Sequence, residues 1–248
     1  MRPVALPVNL NETLSKIKTR LDLGNQPLID LLLRQRRALS KNQHLYRRGD
    51  AADEIYVVLS GSLKAYCFTS DGDEEVIRFY FPADPFGTDG FHANERATSV
   101  MALETSIVSS LSMQVLQDFI QEDRTLRNKC YRLLSRMIKE ERDFTEMLRR
   151  SNAEQRVAAF LLHIREYQCP DSKSDKTPLC QIQVPMTRRD VANYLGLSVE
   201  TVSRAFSRLR QKRAIRMMGH QLELTDLLRL RLTANAYTNP EYTSRMYG

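Results

Sequence analysis

The sequence predicts an α+β fold: an N-terminal antiparallel β-roll, one long helix and a C-terminal winged helix-turn-helix. Three observations predict it. Between Gln43 and Leu111, short β-branched and aromatic runs recur between turn residues. From Leu126 to Arg149, apolar residues return at steps of mostly four and three. From Met186 to Leu224, two short capped helices precede a hairpin. The expected domains are 1–124 for the roll with its N-terminal helix, 125–150 for the long helix, and 151–248 for the winged helix-turn-helix.

Residues 10–39 read as helical, with apolar positions at Leu14, Ile17, Leu21, Leu28 and Leu31–Leu33. Ile55–Leu59 then reads as a strand, Gly61 follows, and Leu63–Phe68 resumes. Asp71-Gly72 is a hairpin signal leading into Val76–Phe81. Pro82, Pro85 and Gly87 punctuate the next turn, and Ala97–Leu103 and Ser106–Leu111 complete the set. Many short strands with regular turns make a small antiparallel barrel or roll.

In the long helix, Leu126, Cys130, Leu133, Met137, Phe144 and Met147 form an apolar seam that Glu140 interrupts. That spacing suits a two-stranded coiled coil, so the helix is expected to pair two copies of the chain. Packing of the same seam on the chain's own barrel is the alternative. Residues 169–180, CPDSKSDKTPLC, are polar and Pro-bounded and read as a loop. Cys67, Cys130, Cys169 and Cys180 are scattered, with no CxxC pair. Reduced thiols in a cytoplasmic compartment are the simplest reading, with a Cys169–Cys180 disulfide across the loop as the alternative.

Beyond the loop, Thr187 can cap a helix, and Asp190 can reach back to the capped amide. Val191, Ala192 and Leu195 share one face of that helix, and Gly196 lets the chain turn. Ser198 caps the next helix, whose packing stripe is Val202, Phe206 and Leu209. Glu200, Ser203, Arg204 and Ser207 fall on the opposite face. Ile215–Met217 and Gln221–Leu224 alternate as strands around a Gly219-His220 turn, forming the wing.

That second helix carries the chemistry. Arg suits the O6 and N7 acceptors of guanine, Glu accepts from the N4 amine of cytosine, and Ser is adaptable. The helix N-terminus, with Ser198 and Thr201, can hold a phosphate on backbone amides. A plain two-helix packing unit is the other reading, and the charge distribution argues against it. Residues 151–248 hold 15 Lys and Arg against 9 Asp and Glu, whereas residues 1–150 hold 22 against 21. Nearly all of the net charge of +7 therefore sits beside the helix-turn-helix. Double-stranded DNA is the expected partner.

Other classes find no support. No P-loop, nucleophile elbow or GxGxxG occurs, so no catalytic residues are assigned and an enzyme is not expected. No apolar run approaches a membrane span, and the N-terminus lacks the apolar core of a signal peptide. His44, His92, His163 and His220 show no metal-ligand spacing, so no metal site is assigned.

Barrel, long helix and winged helix-turn-helix, in that order, resemble the Crp/Fnr family of bacterial transcription regulators across nearly the whole chain. The motifs are Gly49-Asp50, IYVVLSGSLKAY at 55–66, DPFG at 84–87, NAEQRVAAFLL at 152–162 and MTRRDVANYLGLSVETVSR at 186–204. The last two look like the Fnr branch. There an E-x-x-S-R motif reads DNA, which implies base-reading roles for Glu200, Ser203 and Arg204 and a palindrome with TTGAT-type half-sites. Thr187, Arg188, Ser198 and Thr201 match family positions that touch phosphates. The resemblance also implies a cyclic-nucleotide-binding-like barrel, a homodimer, and activation through RNA polymerase.

The sensing residues depart from the family. Cluster-bearing members use N-terminal cysteines and one in the barrel; here no cysteine precedes Cys67, and the barrel position is Ser109. No iron–sulfur cluster is expected, because thiolates hold such clusters. Cyclic-nucleotide-binding members carry Gly-Glu after the FG turn and a later Arg-Ser, whereas Thr88-Asp89 and Arg96-Ala97 stand here. Cyclic AMP binding is therefore not expected, and Arg96 reads as a surface or structural residue. No cofactor is assigned. A cyclic-nucleotide-dependent regulator of the Crp type, a haem-based gas sensor using His44, His92 or a cysteine, and a general nucleic-acid binder are the alternatives.

Overall fold

The computed structural model describes residues 15, 17–18, 26–169, 180–218 and 221–235. They form two compact units, 1–137 and 138–248.

In the first unit, helix α1 (Gln26–Arg34) precedes strands β1 (Arg36–Leu39), β2 (His44–Tyr46), β3 (Glu54–Ser60), β4 (Leu63–Phe68), β5 (Glu74–Tyr80), β6 (Pro85–Phe86), β7 (Ser99–Ala102) and β8 (Ser106–Ser112). They build two four-stranded antiparallel sheets, ordered β1-β8-β3-β6 and β2-β7-β4-β5. One core draws on both sheets: Tyr56, Val58, Phe86 and Val108 from the first meet Leu63, Ala65, Val100 and Ala102 from the second. The alternate residues of β3 and β8 (Val57, Leu59, Ile107 and Leu111) pack with Ile17, Leu28, Ile29 and Leu32 in a second core. β3 is thus covered on both faces, which explains why it reads as an unbroken apolar run. Gly61 turns β3 into β4 at φ +79°, where a Cβ would lie 2.3 Å from Ser106 Oγ.

The helix expected over 10–39 stops earlier, because Arg36–Leu39 pairs with Ser106–Ser109 of β8 as an edge strand. Only Leu39 of those four residues is buried, so no alternation marks the strand in the sequence. Leu14 and Leu21 lie outside the described residues. A helix that the periodicity did not single out, α2 (Met113–Glu122), follows β8.

The long helix α3 runs from Arg124 to Arg150, so it spans the boundary between the units. Its expected coiled-coil seam is corrected by the packing. Leu126 is 2% exposed inside the second core, and Cys130 and Leu133 pack against that core. Phe144 stacks on Tyr194 with ring centroids 4.5 Å apart, Met147 is buried, and Met137 is half-buried. The seam therefore faces the chain's own residues. A heptad pattern specifies a buried stripe but not its partner. The apolar residues α3 leaves outward are Tyr131, Leu134 and Ile138, at 63%, 38% and 71% exposure.

In the second unit, α4 (Ala153–Gln168) packs against α6 (Val199–Gln211) and α7 (Leu227–Asn235), and α5 (Arg188–Tyr194) packs on α6. The wing is three-stranded. β10 (Ile215–Met218) pairs β11 (Gln221–Leu224), and β11 pairs β9 (Cys180–Gln183). β9 was hidden at the end of the expected loop, because it has only two inward residues, Cys180 and Ile182. The Gly219-His220 turn lies outside the described residues. The expectation of reduced thiols is also corrected: Cys169 and Cys180 form a disulfide, while Cys67 and Cys130 are free. The end of α4 is tied to β9 by the Gln168 side chain, which donates to the Gln183 carbonyl at 2.8 Å and accepts from the Gln183 amide at 2.7 Å, beside the α4 C-cap Cys169.

Candidate nucleic-acid interface

The local sequence builds the helix-turn-helix from its caps. Thr187 Oγ1 accepts from the Asp190 amide at 3.0 Å, and Asp190 Oδ2 accepts from the Thr187 amide at 2.9 Å. This is the expected capping box, worth on the order of 1 kcal/mol. α5 closes at its C-cap Leu195, and Gly196 takes φ +62°. The Leu197 amide then donates to the Ala192 carbonyl at 2.8 Å, and Ser198 Oγ accepts from the Thr201 amide at 3.1 Å to start α6. Val191, Leu195, Val202 and Leu209 are fully buried between the helices.

The opposite face of α6 stands open. Glu200, Ser203, Arg204, Ser207, Arg208 and Gln211 line one shallow concavity of about 460 Å³. Arg204 Nη2 donates to Glu200 Oε1 at 2.5 Å, with the two side chains 71% and 72% exposed. Ser203 Oγ donates to the Val199 carbonyl and Ser207 Oγ to the Ser203 carbonyl. The three residues expected to read bases therefore share one accessible surface.

The residues expected at phosphates are placed differently from one another. Ser198 and Thr201 sit at the α6 N-terminus, their hydroxyl oxygens 2.8 Å apart. The Thr187 hydroxyl donates to Asp190 Oδ2 at 2.6 Å. Arg188 lies with its guanidinium carbon 3.5 Å from the Phe206 ring centroid, and burial there lowers its pKa. The neighbouring Arg189 is exposed, as are Arg208, Arg210 and Arg213, and these four have no ion pair among the described residues. Lys212 pairs with Glu154 and Arg216 with Glu223.

Composition alone did not reveal the brace behind this surface. Asn152 and Gln155 form a capping box at the start of α4. One turn on, Arg156 donates from Nε to the Ser151 carbonyl and from Nη1 to the Leu195 carbonyl, both at 2.9 Å.

Comparison with known proteins fits this geometry. Residues 155–233 match the Crp-like helix-turn-helix domain model, and residues 36–123 match the cyclic nucleotide-binding domain model. The anaerobic regulatory protein of Haemophilus influenzae is 30% identical over 217 residues, covering 87% of this chain and 83% of its own length. The chain belongs to the Crp/Fnr family of transcription regulators. The fumarate and nitrate reduction regulatory protein of Vibrio cholerae is 31% identical, over 79% of this chain and 77% of its own. The transcriptional activator protein Anr of Pseudomonas protegens is 29% identical, over 93% and 88%. Among solved structures, FixK2 of Bradyrhizobium japonicum aligns with a TM-score of 0.70 at 26% identity, covering 79% of this chain and 95% of that one. The chain is thus a DNA-binding transcription regulator and not an enzyme.

The barrel residues that the resemblance singled out make contacts within the fold. Arg96 is 2% exposed, so the surface reading of it is corrected. Its Nη1 donates to the Gly87 carbonyl at 2.7 Å and its Nη2 to the Glu54 carbonyl at 2.6 Å. The guanidinium carbon lies 4.4 Å from the Tyr46 ring centroid and 5.3 Å from that of Tyr56. Burial pushes both phenols up. At Gly87, φ is +91° and a Cβ would come within 3.0 Å of Arg96 Nη1. Asp89, beside Thr88, accepts from the Thr98 amide and hydroxyl. Ser109 is fully buried and donates to the Gln35 carbonyl at 3.3 Å. No group of three His, Cys, Asp or Glu that could hold a metal occurs among the described residues.

Proposed function

We propose that the chain acts in the cytoplasm as a homodimer on a palindrome with TTGAT-type half-sites, and that it activates transcription through RNA polymerase. The observation that carries this reading is the placement of Glu200, Ser203 and Arg204 on one open face of α6. Arg204 and Glu200 satisfy one another in the free protein yet remain exposed, so each can be handed to a base without desolvating a buried group. The relatives described as activators support the direction of regulation. Tyr131, Leu134 and Ile138 recur at i, i+3 and i+7 of α3 and supply the stripe for a second copy. A two-fold dimer sets reading helices about 34 Å apart, one turn of DNA.

Selection from random-sequence DNA tests this reading. The expected winners are two-fold symmetric with TTGAT-type arms. Asymmetric winners, or none, refute it. Reconstituted transcription with RNA polymerase on such a site is expected to rise. For the barrel, the proposal is a regulator without cyclic nucleotide, cluster or haem, since Arg96 is held by two carbonyls and two rings and Ser109 by a carbonyl. Micromolar heat of binding with cyclic AMP, or haem or cluster absorption in protein purified without oxygen, would overturn it.

A further inference from the structure

The start of α4 holds the turn that leads into the reading helix α6 and the C-cap that closes it. At its entrance, Arg156 Nη1 donates to the carbonyl of Leu195, the last residue before the Gly196 turn, at 2.9 Å. The same guanidinium donates from Nε to the Ser151 carbonyl, at the junction between α3 and α4. At the exit of α6, its C-cap Lys212 reaches Glu154 in the first turn of α4 at 2.5 Å. Glu154 is 13% exposed in this pair, Lys212 52%. Residues 154 and 156 thus hold the C-cap of the 13-residue reading helix and the C-cap of α5, which leads into the turn before it. Both carbonyls that Arg156 takes are helix-end groups with no partner inside their own helix. A planar fork with donors at fixed separation can bridge two such oxygens, whereas a single ammonium cannot hold the same geometry.

We infer that Arg156 is a positioning residue for DNA recognition: it fixes the angle at which α6 presents Glu200, Ser203 and Arg204 without touching DNA. The inference rests on the sequence-specific reading proposed above. Glu154–Lys212 steadies the far end, and being partly solvated it contributes less.

The test uses the full chain and three proteins: wild type, Arg156→Lys and Val157→Ala. Arg156→Lys keeps the charge, so affinity for scrambled DNA and its salt slope should stay unchanged. The ratio of affinities for the TTGAT palindrome over scrambled DNA should fall roughly two- to tenfold, the loss of about one hydrogen bond. Val157→Ala removes fully buried methyl groups from the same helix and lowers the melting temperature. It should leave the ratio alone. An unchanged ratio in Arg156→Lys overturns the inference, and so does an equal fall in Val157→Ala, which would make Arg156 a stability residue only. Hydrogen exchange without DNA gives an independent reading. The Leu197 and Thr201 amides, which close the turn and start α6, should exchange faster in Arg156→Lys. Unchanged protection there overturns the inference even if wild type proves not to discriminate, an outcome that would separately refute the TTGAT reading.

Discussion

Ile138→Glu separates the two readings of the long helix. Ile138 is 71% exposed in the single chain, so the change should move fold stability by less than about 0.5 kcal/mol. In a two-fold dimer the same residue is buried twice. Burying one such side chain is worth about 1.5–3 kcal/mol, so a pair is worth about 3–6 kcal/mol. Losing both weakens dimerisation by roughly 10²- to 10⁴-fold, before repulsion between the two new carboxylates is counted. Leu126→Ala is the contrasting variant. Leu126 is 2% exposed in the core with Leu28, Val57 and Leu111. Its truncation should destabilise the N-terminal unit by about 2–5 kcal/mol and leave association of the folded chains unchanged. Sedimentation over a nanomolar to micromolar range, paired with thermal unfolding, reads both effects. An unchanged dimer dissociation constant in Ile138→Glu refutes the outward stripe, and monomers from folded Leu126→Ala would restore the seam that the sequence suggested.

Other expectations follow from single contacts. Arg204→Ala should lose about 1–3 kcal/mol on the palindrome and relax discrimination at one base pair, with little change on scrambled DNA; equal loss on both sequences would make Arg204 a phosphate contact. Reducing the Cys169–Cys180 bond with a dithiol reopens a loop of 11-residue separation. The chain-entropy term for a loop of that size is about 3 kcal/mol, so the C-terminal unfolding transition should move down while the N-terminal one stays; a fixed C-terminal transition contradicts this. His44 has its pKa lowered by burial, then by Arg47 and Lys64. The unfolded chain therefore takes up the proton first. Stability of the N-terminal unit should be full above pH of about 6.5 and decline below it, and His44→Asn should flatten that slope; a slope unchanged by the substitution assigns it elsewhere.

Local rules made some elements legible and left others unreadable. Thr187, Asp190, Gly196 and Ser198 act within a few residues of themselves, so the helix-turn-helix could be read from them directly. Strands β3, β4 and β5 have apolar faces long enough to stand out. β1, β2, β6 and β9, of two to four residues, are held by partners distant in sequence. The α3 stripe was recognised as buried but given the wrong partner, because period fixes a face and not what covers it. The Cys169–Cys180 bond goes with the docking of the α4 end on β9 through Gln168 and Gln183, which no spacing encodes. At the site, Glu200, Ser203 and Arg204 were found by periodicity because they share an open face. Arg156 was not, because its role lies in two backbone carbonyls that only the folded chain brings together.

The most direct test of the account is a competition at one fixed salt concentration between a TTGAT-type palindrome and a scrambled duplex of equal length and composition. Specific readers typically favour their site by 10³-fold or more. A preference of that order is expected, lost when either half-site is scrambled. Equal affinity for the two duplexes would contradict it.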